Sequence, residues 1–307
     1  MNQSKKNTLI TIVGPTAIGK TALSIELANR FKSSIISCDS RQFFKEMSIG
    51  TAVPDNDELA AASHYFIQNR SIFDEYNVGQ FEKDALNTLE KLFQENSIQI
   101  MVGGSGLYVN AVLEGLDDFP EINSSIRKQL IKELEEKGID FLQEKLKKLD
   151  LESYDSIAIE NPQRLIRALE ICEGTNKPYS SFKNKPKPER NFNIIKIGLT
   201  AERAILYDRI NKRVDIMINN GLLEEAQKLY EHKHLNALQT VGYKELFSYF
   251  KGDFTKEFAI SEIKKNTRRF AKRQLTWFKK DENILWFNFE TPSKKISKII
   301  NDKINAF

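Results

Sequence analysis

Cysteine and histidine are scarce in this chain: its 307 residues hold two of the first and three of the second. Cys38 and Cys172 lie far apart and match no metal spacing, so a zinc centre of the Cys/His kind is not expected. Two thiols with no disulfide framework around them suit an intracellular protein. His64, His232 and His234 form no ligand set, and the last two sit in EHKHLN at an apparent helix end, where surface or capping roles suit them. Long apolar runs are missing as well. None approaches the roughly 20 residues that cross a bilayer, and the apolar stretch within MNQSKKNTLITIVGPT is too short for a secretory signal. A cytoplasmic protein with no membrane partner is the expectation. One-sided charge is also absent, since 46 Lys and Arg against 42 Asp and Glu leave a net of +4. Any function that depends on charge must depend on how it is distributed.

What is present is enough for a packed core, with 40% hydrophobic residues. Five apolar runs read as buried strands: TLITIV at 8–13, SIISC at 34–38, IQIMVGG at 98–104, IIKIGLT at 194–200 and ILWFNF at 284–289. Helical patterns separate them, which predicts an α/β fold with a mainly parallel sheet wrapped by helices. Residues 117–193 carry no strand pattern. Helical periodicity runs through SSIRKQLIKELEEKG, stopping at Gly138, and again through NPQRLIRALEICEG, while Pro178, Pro186 and Pro188 mark an irregular exit. The expected organisation is a core of 1–116 and 194–307 interrupted by an all-helical insertion domain over 117–193. In the insertion, Asp117-Asp118-Phe119-Pro120-Glu121 has an acid spacing that could hold metal from a helix. Pro120 disfavours a continuing helix there, so the segment reads as a loop.

The octapeptide Gly14-Pro15-Thr16-Ala17-Ile18-Gly19-Lys20-Thr21 follows the first strand and precedes the amphipathic TALSIELANRF. This is the phosphate-loop pattern G-x-x-x-x-G-K-[ST]. Its glycines let several N–H groups curl toward one anion, and the following helix adds the positive end of its dipole. Lys20 supplies a full charge, and the Thr21 hydroxyl can hold Mg²⁺ beside phosphates. Most such loops serve nucleotide hydrolysis or phosphoryl transfer, which call for an acid at the end of another core strand. Here IQIMV runs instead into Gly103-Gly104-Ser105-Gly106-Leu107-Tyr108. Asp39 is the acid that closes an early strand, in Ser37-Cys38-Asp39-Ser40-Arg41-Gln42. Ligands gather at the carboxyl ends of strands in such sheets, so Asp39, Ser105 and Lys20 should face one crevice. Asp39 could equally cap a short helix after it, and Ser105 the helix that follows.

Together GPTAIGKT (14–21), SCDSRQ (37–42), MSIGTAVP (47–54), VGGSGLY (102–108), NPQRLIRALEI (161–171), QTVGYKEL (239–246) and AKRQLTWF (271–278) resemble the bacterial tRNA dimethylallyltransferases, also called tRNA isopentenyltransferases. They occur in that family's order over nearly the whole chain. The resemblance implies transfer of a dimethylallyl group from its diphosphate to N6 of the adenosine just 3′ of a tRNA anticodon. The loop, through Gly14, Thr16, Ala17, Ile18, Gly19, Lys20 and Thr21, would hold the donor's diphosphate, with Mg²⁺ on Thr21. Asp39 would act as base, with Ser105 and Arg213 beside the chemistry. It also implies tRNA contacts, at the anticodon stem-loop, from Asp39, Ser40, Arg41, Gln42, Ser105, Arg127, Gln163, Arg164, Leu165, Ile166, Arg167, Gln239, Gly242, Tyr243, Lys244, Lys272, Arg273 and Gln274. A monomer is expected. Val53 stands where the family commonly has Lys, and Phe44 where it commonly has Tyr.

The RNA side has its own signal. KEFAISEIKKNTRRFAKRQLTWFKK, at 256–280, holds nine Lys and Arg against Glu257 and Glu262, with Phe270, Trp277 and Phe278 interleaved. Such a run can track phosphates, and it can also be a solvated helix whose aromatics face the core. Two other readings remain at this stage: a small-molecule kinase or nucleotidase using the same loop, and a non-catalytic RNA-binding protein.

Overall fold

A computed structural model describes residues 7–307. Its six strands are β1 (Thr8–Val13), β2 (Ile35–Ser37), β3 (His64–Tyr65), β4 (Ile98–Gly103), β5 (Asn193–Thr200) and β6 (Leu285–Asn288). They form one sheet in the order β3-β2-β4-β1-β5-β6, every pair parallel. All five expected strands are present. The two-residue β3 was not foreseen, being too short for any period to show. β1 lies between β4 and β5 with all six residues buried, which is why its sequence is apolar on both faces. Alternate residues feed opposite layers. Leu9 and Val13 join Ile36, Phe81, Leu89, Val109 and Phe278 on one side, while Ile10 and Ile12 join Leu27, Ile197, Ile296 and Ile300 on the other.

The helices in chain order are α1 (Lys20–Phe31), α2 (Asn56–Ala61), α3 (Val78–Glu95), α4 (Gly106–Glu114), α5 (Ser124–Leu149), α6 (Leu151–Ser156), α7 (Pro162–Thr175), α8 (Arg203–Asn219), α9 (Leu222–Lys228), α10 (Tyr243–Lys251), α11 (Lys256–Phe278) and α12 (Ser293–Asn305). No helix among the described residues is long and apolar enough to cross a membrane. The chain divides into two compact units, one of residues 1–114 and 190–307 and one of residues 115–189. The smaller unit is all-helical with its own core, where Leu130, Leu142 and Leu146 of α5 meet Leu165, Ile166 and Leu169 of α7. Gly138 takes φ 81° and ψ 174° and breaks α5 into two helical stretches, so the expected stop occurs but helix resumes directly. Residues 117–121 are irregular, and Asp117 is ion-paired with Lys187.

In the larger unit the helices after β5 build a third core around the fully buried Tyr243, with Met47, Leu222, Leu246 and Ile263. One carboxylate organises its edge. Glu225 accepts from the backbone N–H groups of Ser48 (3.0 Å), Ile49 (2.8 Å) and Gly50 (2.9 Å) and from the Tyr243 hydroxyl (2.6 Å). Hydrogen bonds to a charged group are the strong kind, and burial beside Glu225 drives the Tyr243 phenol well above its ordinary pKa. Phe44 is buried in the same core, so the ring is used for packing and a Tyr hydroxyl at this position would need a partner there. Glu225→Ala should lower the unfolding free energy by about 3 kcal/mol, the order of two charge-assisted hydrogen bonds lost net. Urea unfolding followed by tryptophan fluorescence checks this, since Trp277 and Trp286 both lie in the larger unit.

Candidate active site

The sheet order decides what meets what. β2, β4 and β1 are successive neighbours, so Cys38-Asp39, Gly104-Ser105 and the loop 14–19 leave the same edge side by side. The backbones approach so closely that side chains are excluded. A Cβ on Gly14 would lie 2.7 Å from the Leu199 carbonyl oxygen, and one on Gly103 would lie 2.9 Å from the Cys38 carbonyl carbon. Beyond Gly14 the loop curls through left-handed backbone at Ala17 (φ 64°) and Gly19 (φ 106°), which aims the start of α1 back at the crevice. The first turn of α1 carries no acidic residue. Its unpaired N–H groups therefore keep their full pull on an outside anion.

Three cations surround this loop. The Lys20 ammonium folds back to donate to the Pro15 carbonyl oxygen at 2.7 Å. From α8, Arg209 donates to the Ala17 carbonyl oxygen at 2.8 Å and Arg213 to the Thr16 hydroxyl at 3.4 Å. Burial pushes Lys20 down to about 8, partly opposed by the Asp39 carboxylate and assisted by Arg213. Burial also lowers Arg213, with Asp39 again among its electrostatic neighbours, yet a guanidinium stays charged at any ordinary pH. Arg213 thus stands against the loop. Arg209 escaped the sequence reading, although its spacing of four from Arg213 places both on one helix face.

Asp39 follows the buried Cys38. Its Oδ1 accepts from the Arg41 N–H at 3.0 Å, which makes a local turn, and no helix follows for it to cap. The Ser105 hydroxyl accepts from the Ser40 N–H at 3.0 Å and donates to the Ser40 hydroxyl at 3.1 Å. Ser105 is therefore the strut between the β4 end and the Asp39 turn. Asp39 acts electrostatically on Lys20, Arg41, Cys38, Tyr108 and Arg213. The fold thus brings the Asp39 turn, Ser105 and the Lys20 loop to one sheet edge, with Arg213 against the loop.

Several residues assigned to RNA face inward instead. Leu165 and Ile166 are 0% and 1% exposed in the core of the smaller unit, so only Gln163, Arg164 and Arg167 of that run reach solvent. Tyr243 is fully buried and Gly242 is a buried helix cap, whereas Gln239 and Lys244 are exposed. Gln42 spends its amide internally, donating to the carbonyl oxygens of Thr51 and Ala52 and accepting from the Ser37 hydroxyl. Gln274 is 5% exposed and bonds two loops. In the smaller unit Arg127 and Arg167 share Glu170, and Arg127 also holds Gln163. On α11, Lys272 and Arg273 are exposed and line a groove of about 410 Å³ with Arg269, Thr276, Trp277 and Lys280. Trp277 is 40% exposed there and Phe278 is buried.

A concentrated anion seated in the loop must raise the Lys20 pKa again. Above about pH 8 the free protein holds Lys20 neutral, so binding takes up a proton and weakens by up to about tenfold per pH unit. Below that pH the ammonium is already formed and contributes no slope. Titration calorimetry with inorganic pyrophosphate in buffers of different ionisation enthalpy should show this uptake at pH 8.5. In Lys20→Met the uptake should vanish and the affinity at pH 7 should fall.

Comparison with known proteins agrees with the geometry. The sequence model of the IPP transferase family matches residues 42–281. The tRNA dimethylallyltransferase of Flavobacterium psychrophilum is 62% identical over 304 residues, covering 97% of this chain and 99% of the relative. That of Christiangramia forsetii is 64% identical over 300 residues, covering 98% and 99%. Among solved structures, the tRNA isopentenylpyrophosphate transferase of Bacillus halodurans is 36% identical with a TM-score of 0.73, covering 98% of each chain. A eukaryotic dimethylallyltransferase captured acting on tRNA is 26% identical with a TM-score of 0.82, covering 98% of this chain and 80% of its own. The matched span takes in most of the core and the whole insertion, and on that ground the chain belongs to the IPP transferase family.

Proposed function

We propose that this enzyme transfers the dimethylallyl group of dimethylallyl diphosphate to N6 of the adenosine 3′-adjacent to the anticodon of tRNA. The observation that carries the reading is the placement of Asp39 and the Lys20 loop at one sheet edge, separated by a strand, β4, that ends without an acid. β4 is the strand beside the phosphate loop, where phosphoryl transfer would want a carboxylate for metal or water. A kinase or nucleotidase gains no support from that arrangement.

The chemistry divides between the two strand ends. The allylic C1–O bond breaks as diphosphate leaves, and the N6–C1 bond forms. Lys20, Arg209, Arg213 and the N–H groups of the loop take up the charge that grows on the departing oxygen, an effect magnified where water is sparse. The proton leaving N6 passes to the Asp39 carboxylate, whose hold on Arg41 N–H fixes its direction. General-base help of this kind is worth about 10²–10⁴-fold. An adenine buried in a helical stack cannot reach such a crevice, so the base must be extruded, as loop nucleotides readily are. The exposed Lys272, Arg273, Lys244 and Gln239, and in the smaller unit the exposed Arg164 and half-exposed Arg167, suit contacts with RNA.

Mg²⁺ fits the donors available. No group of three or more His, Cys, Asp or Glu among the described residues forms a cage of its own, and Mg²⁺ is ordinarily held by one or two protein oxygens and by phosphates. The half-exposed Thr21 hydroxyl, in the first turn of α1, is the residue that would hold it. The ion would supply further neutralisation of the leaving group. A monomer working in the cytoplasm, where tRNA resides, completes the reading.

Mass spectrometry of tRNA nucleosides after incubation with dimethylallyl diphosphate and Mg²⁺ tests the assignment, and N6-dimethylallyl adenosine is the expected product. Release of ADP from ATP with unaltered nucleosides would overturn it. Asp39→Asn should slow single-turnover transfer by about 10²–10⁴-fold while tRNA affinity stays within about twofold. Full activity in that variant removes Asp39 as the base.

A further inference from the structure

α11 does more than present cations. One turn of it, around Gln274 and Trp277, plugs the space between the two loops of the site. The Gln274 Oε1 accepts from the Thr16 N–H at 2.9 Å, and its Nε2 donates to the Gly104 carbonyl oxygen at 2.9 Å. The amide orientation is dictated, because the backbone offers a donor on one side and an acceptor on the other. The side chain fits only because position 104 has no Cβ. Three residues on, Trp277 closes against Gly106, whose Cβ would fall 2.2 Å from the indole Nε1. Both contacts are long-range, 258 and 170 residues apart in sequence for the two ends of the amide. On the outward side of the same turn, Lys272 and Arg273 are exposed.

We propose that Gln274 is a positioning residue for the transfer reaction, setting the spacing between the diphosphate loop and the Ser105–Asp39 side of the crevice. It also ties that spacing to the helix that faces RNA. The Thr16 N–H is already engaged by the amide and is not free to grip phosphate. The Gly104 carbonyl is fixed just before Ser105, and Ser105 in turn holds Ser40 next to Asp39. A loosened amide therefore lets the leaving-group and base halves drift apart. A misplacement of about 1 Å between reacting groups can cost about 10²-fold in rate. This inference rests on the prenyl-transfer reading above.

Two variants separate positioning from mere stability. Gln274→Met keeps the side-chain length and deletes both hydrogen bonds. It should lower kcat by about 10²-fold with KM for tRNA within about threefold of the parent. Gln274→Glu adds a readout that packing alone would not move. Protonated, its carboxyl can accept from Thr16 and donate to Gly104; ionised, it sets a charge against the Gly104 oxygen and an arriving diphosphate. Its kcat relative to the parent should rise at least fivefold as pH falls from 7.5 to 5.5. The titratable and charged groups around these loops are Lys20, Cys38, Asp39, Arg41, Glu58, Tyr108, Arg209 and Arg213, with Lys272 and Arg273 on the helix. Expressing each rate as a ratio to the parent at the same pH removes their common contribution, and Lys20 titrates only above this range. A flat Gln274→Glu ratio, or a folded Gln274→Met with kcat within twofold of the parent, overturns the proposal. Should Gln274→Met fail to fold, the Gln274→Glu profile decides alone, with thermal melting confirming a folded protein at each pH. Should the parent itself transfer no prenyl group, the functional reading fails instead. Pyrophosphate affinity of the parent and Gln274→Glu over the same pH range then tests the clamp, with an unchanged ratio counting against it.

Discussion

A cation withdrawn from water beneath a curl of N–H groups is the interaction on which the site depends. Lys20 rests on the Pro15 carbonyl oxygen, a neutral acceptor that compensates poorly for lost hydration, and its lowered pKa expresses that deficit. Arg209 and Arg213 add two more charges to the same loop through equally neutral acceptors. The carboxylate that most offsets the burial of Lys20 is Asp39, on another strand end, and for Arg213 it is Glu58. The loop is therefore left short of negative charge. A ligand that brings several negative charges at once restores the balance, and its departure as a leaving group is eased by the same arrangement. Had an acid stood in the first turn of α1, it would have satisfied the helix dipole and removed this bias.

The sheet converts that bias into directed chemistry. β1 and β2 are both neighbours of β4, so their axes stand roughly 10 Å apart, two strand spacings. A displacement at carbon needs the leaving oxygen on one side and the incoming nitrogen on the other. A separation of this size between loop and acid accommodates both with the allylic carbon between. Were Asp39 on β4 instead, it would face the diphosphate directly and would serve better to hold metal and water. The position of the carboxylate, one strand removed, is what distinguishes group transfer to a base from attack on phosphorus. Gln274 and Ser105 then act as the struts that keep the distance, one bridging β1 to β4 and the other β4 to β2.

Much of this was legible in the sequence because it is written over short range. Five strands, the phosphate loop and the helical insertion each show in fewer than about 20 consecutive residues, where apolar period and turn residues act locally. Side-chain direction was less accessible. The family resemblance assigns the run QRLIR at 163–167 whole to RNA, yet a 3.6-residue period places Leu165 and Ile166 behind the exposed Gln163 and Arg164. Tyr243 and Gln274 misled for another reason. Both are polar side chains whose partners, Glu225 for the first and two loop backbones for the second, lie in distant segments. No local pattern distinguishes a polar group that binds a ligand from one that binds its own chain. Arg209 could have been found, since its spacing from Arg213 was visible.

The basic helix shows how a charge count and a charge surface differ. Of the nine cations within 256–280, those in the first half are largely engaged by the protein itself. Lys264 pairs with Asp215, Lys265 with Glu262, and Arg268 donates to Asn211. The exposed remainder, Arg269, Lys272, Arg273, Lys279 and Lys280, gathers toward the carboxyl end, beside the half-exposed Trp277. That is also the turn whose inner side carries Gln274. Lys272, Arg273, Gln274 and Trp277 thus place cationic charge, a stackable ring and the amide that spaces the site within about one and a half turns of the same helix. A helix is stiff over that length, so a load placed on its outer face by RNA is felt at the inner face without any intervening hinge. On the proposed reading, substrate docking and donor-site geometry are joined there by the rigidity of one secondary-structure element.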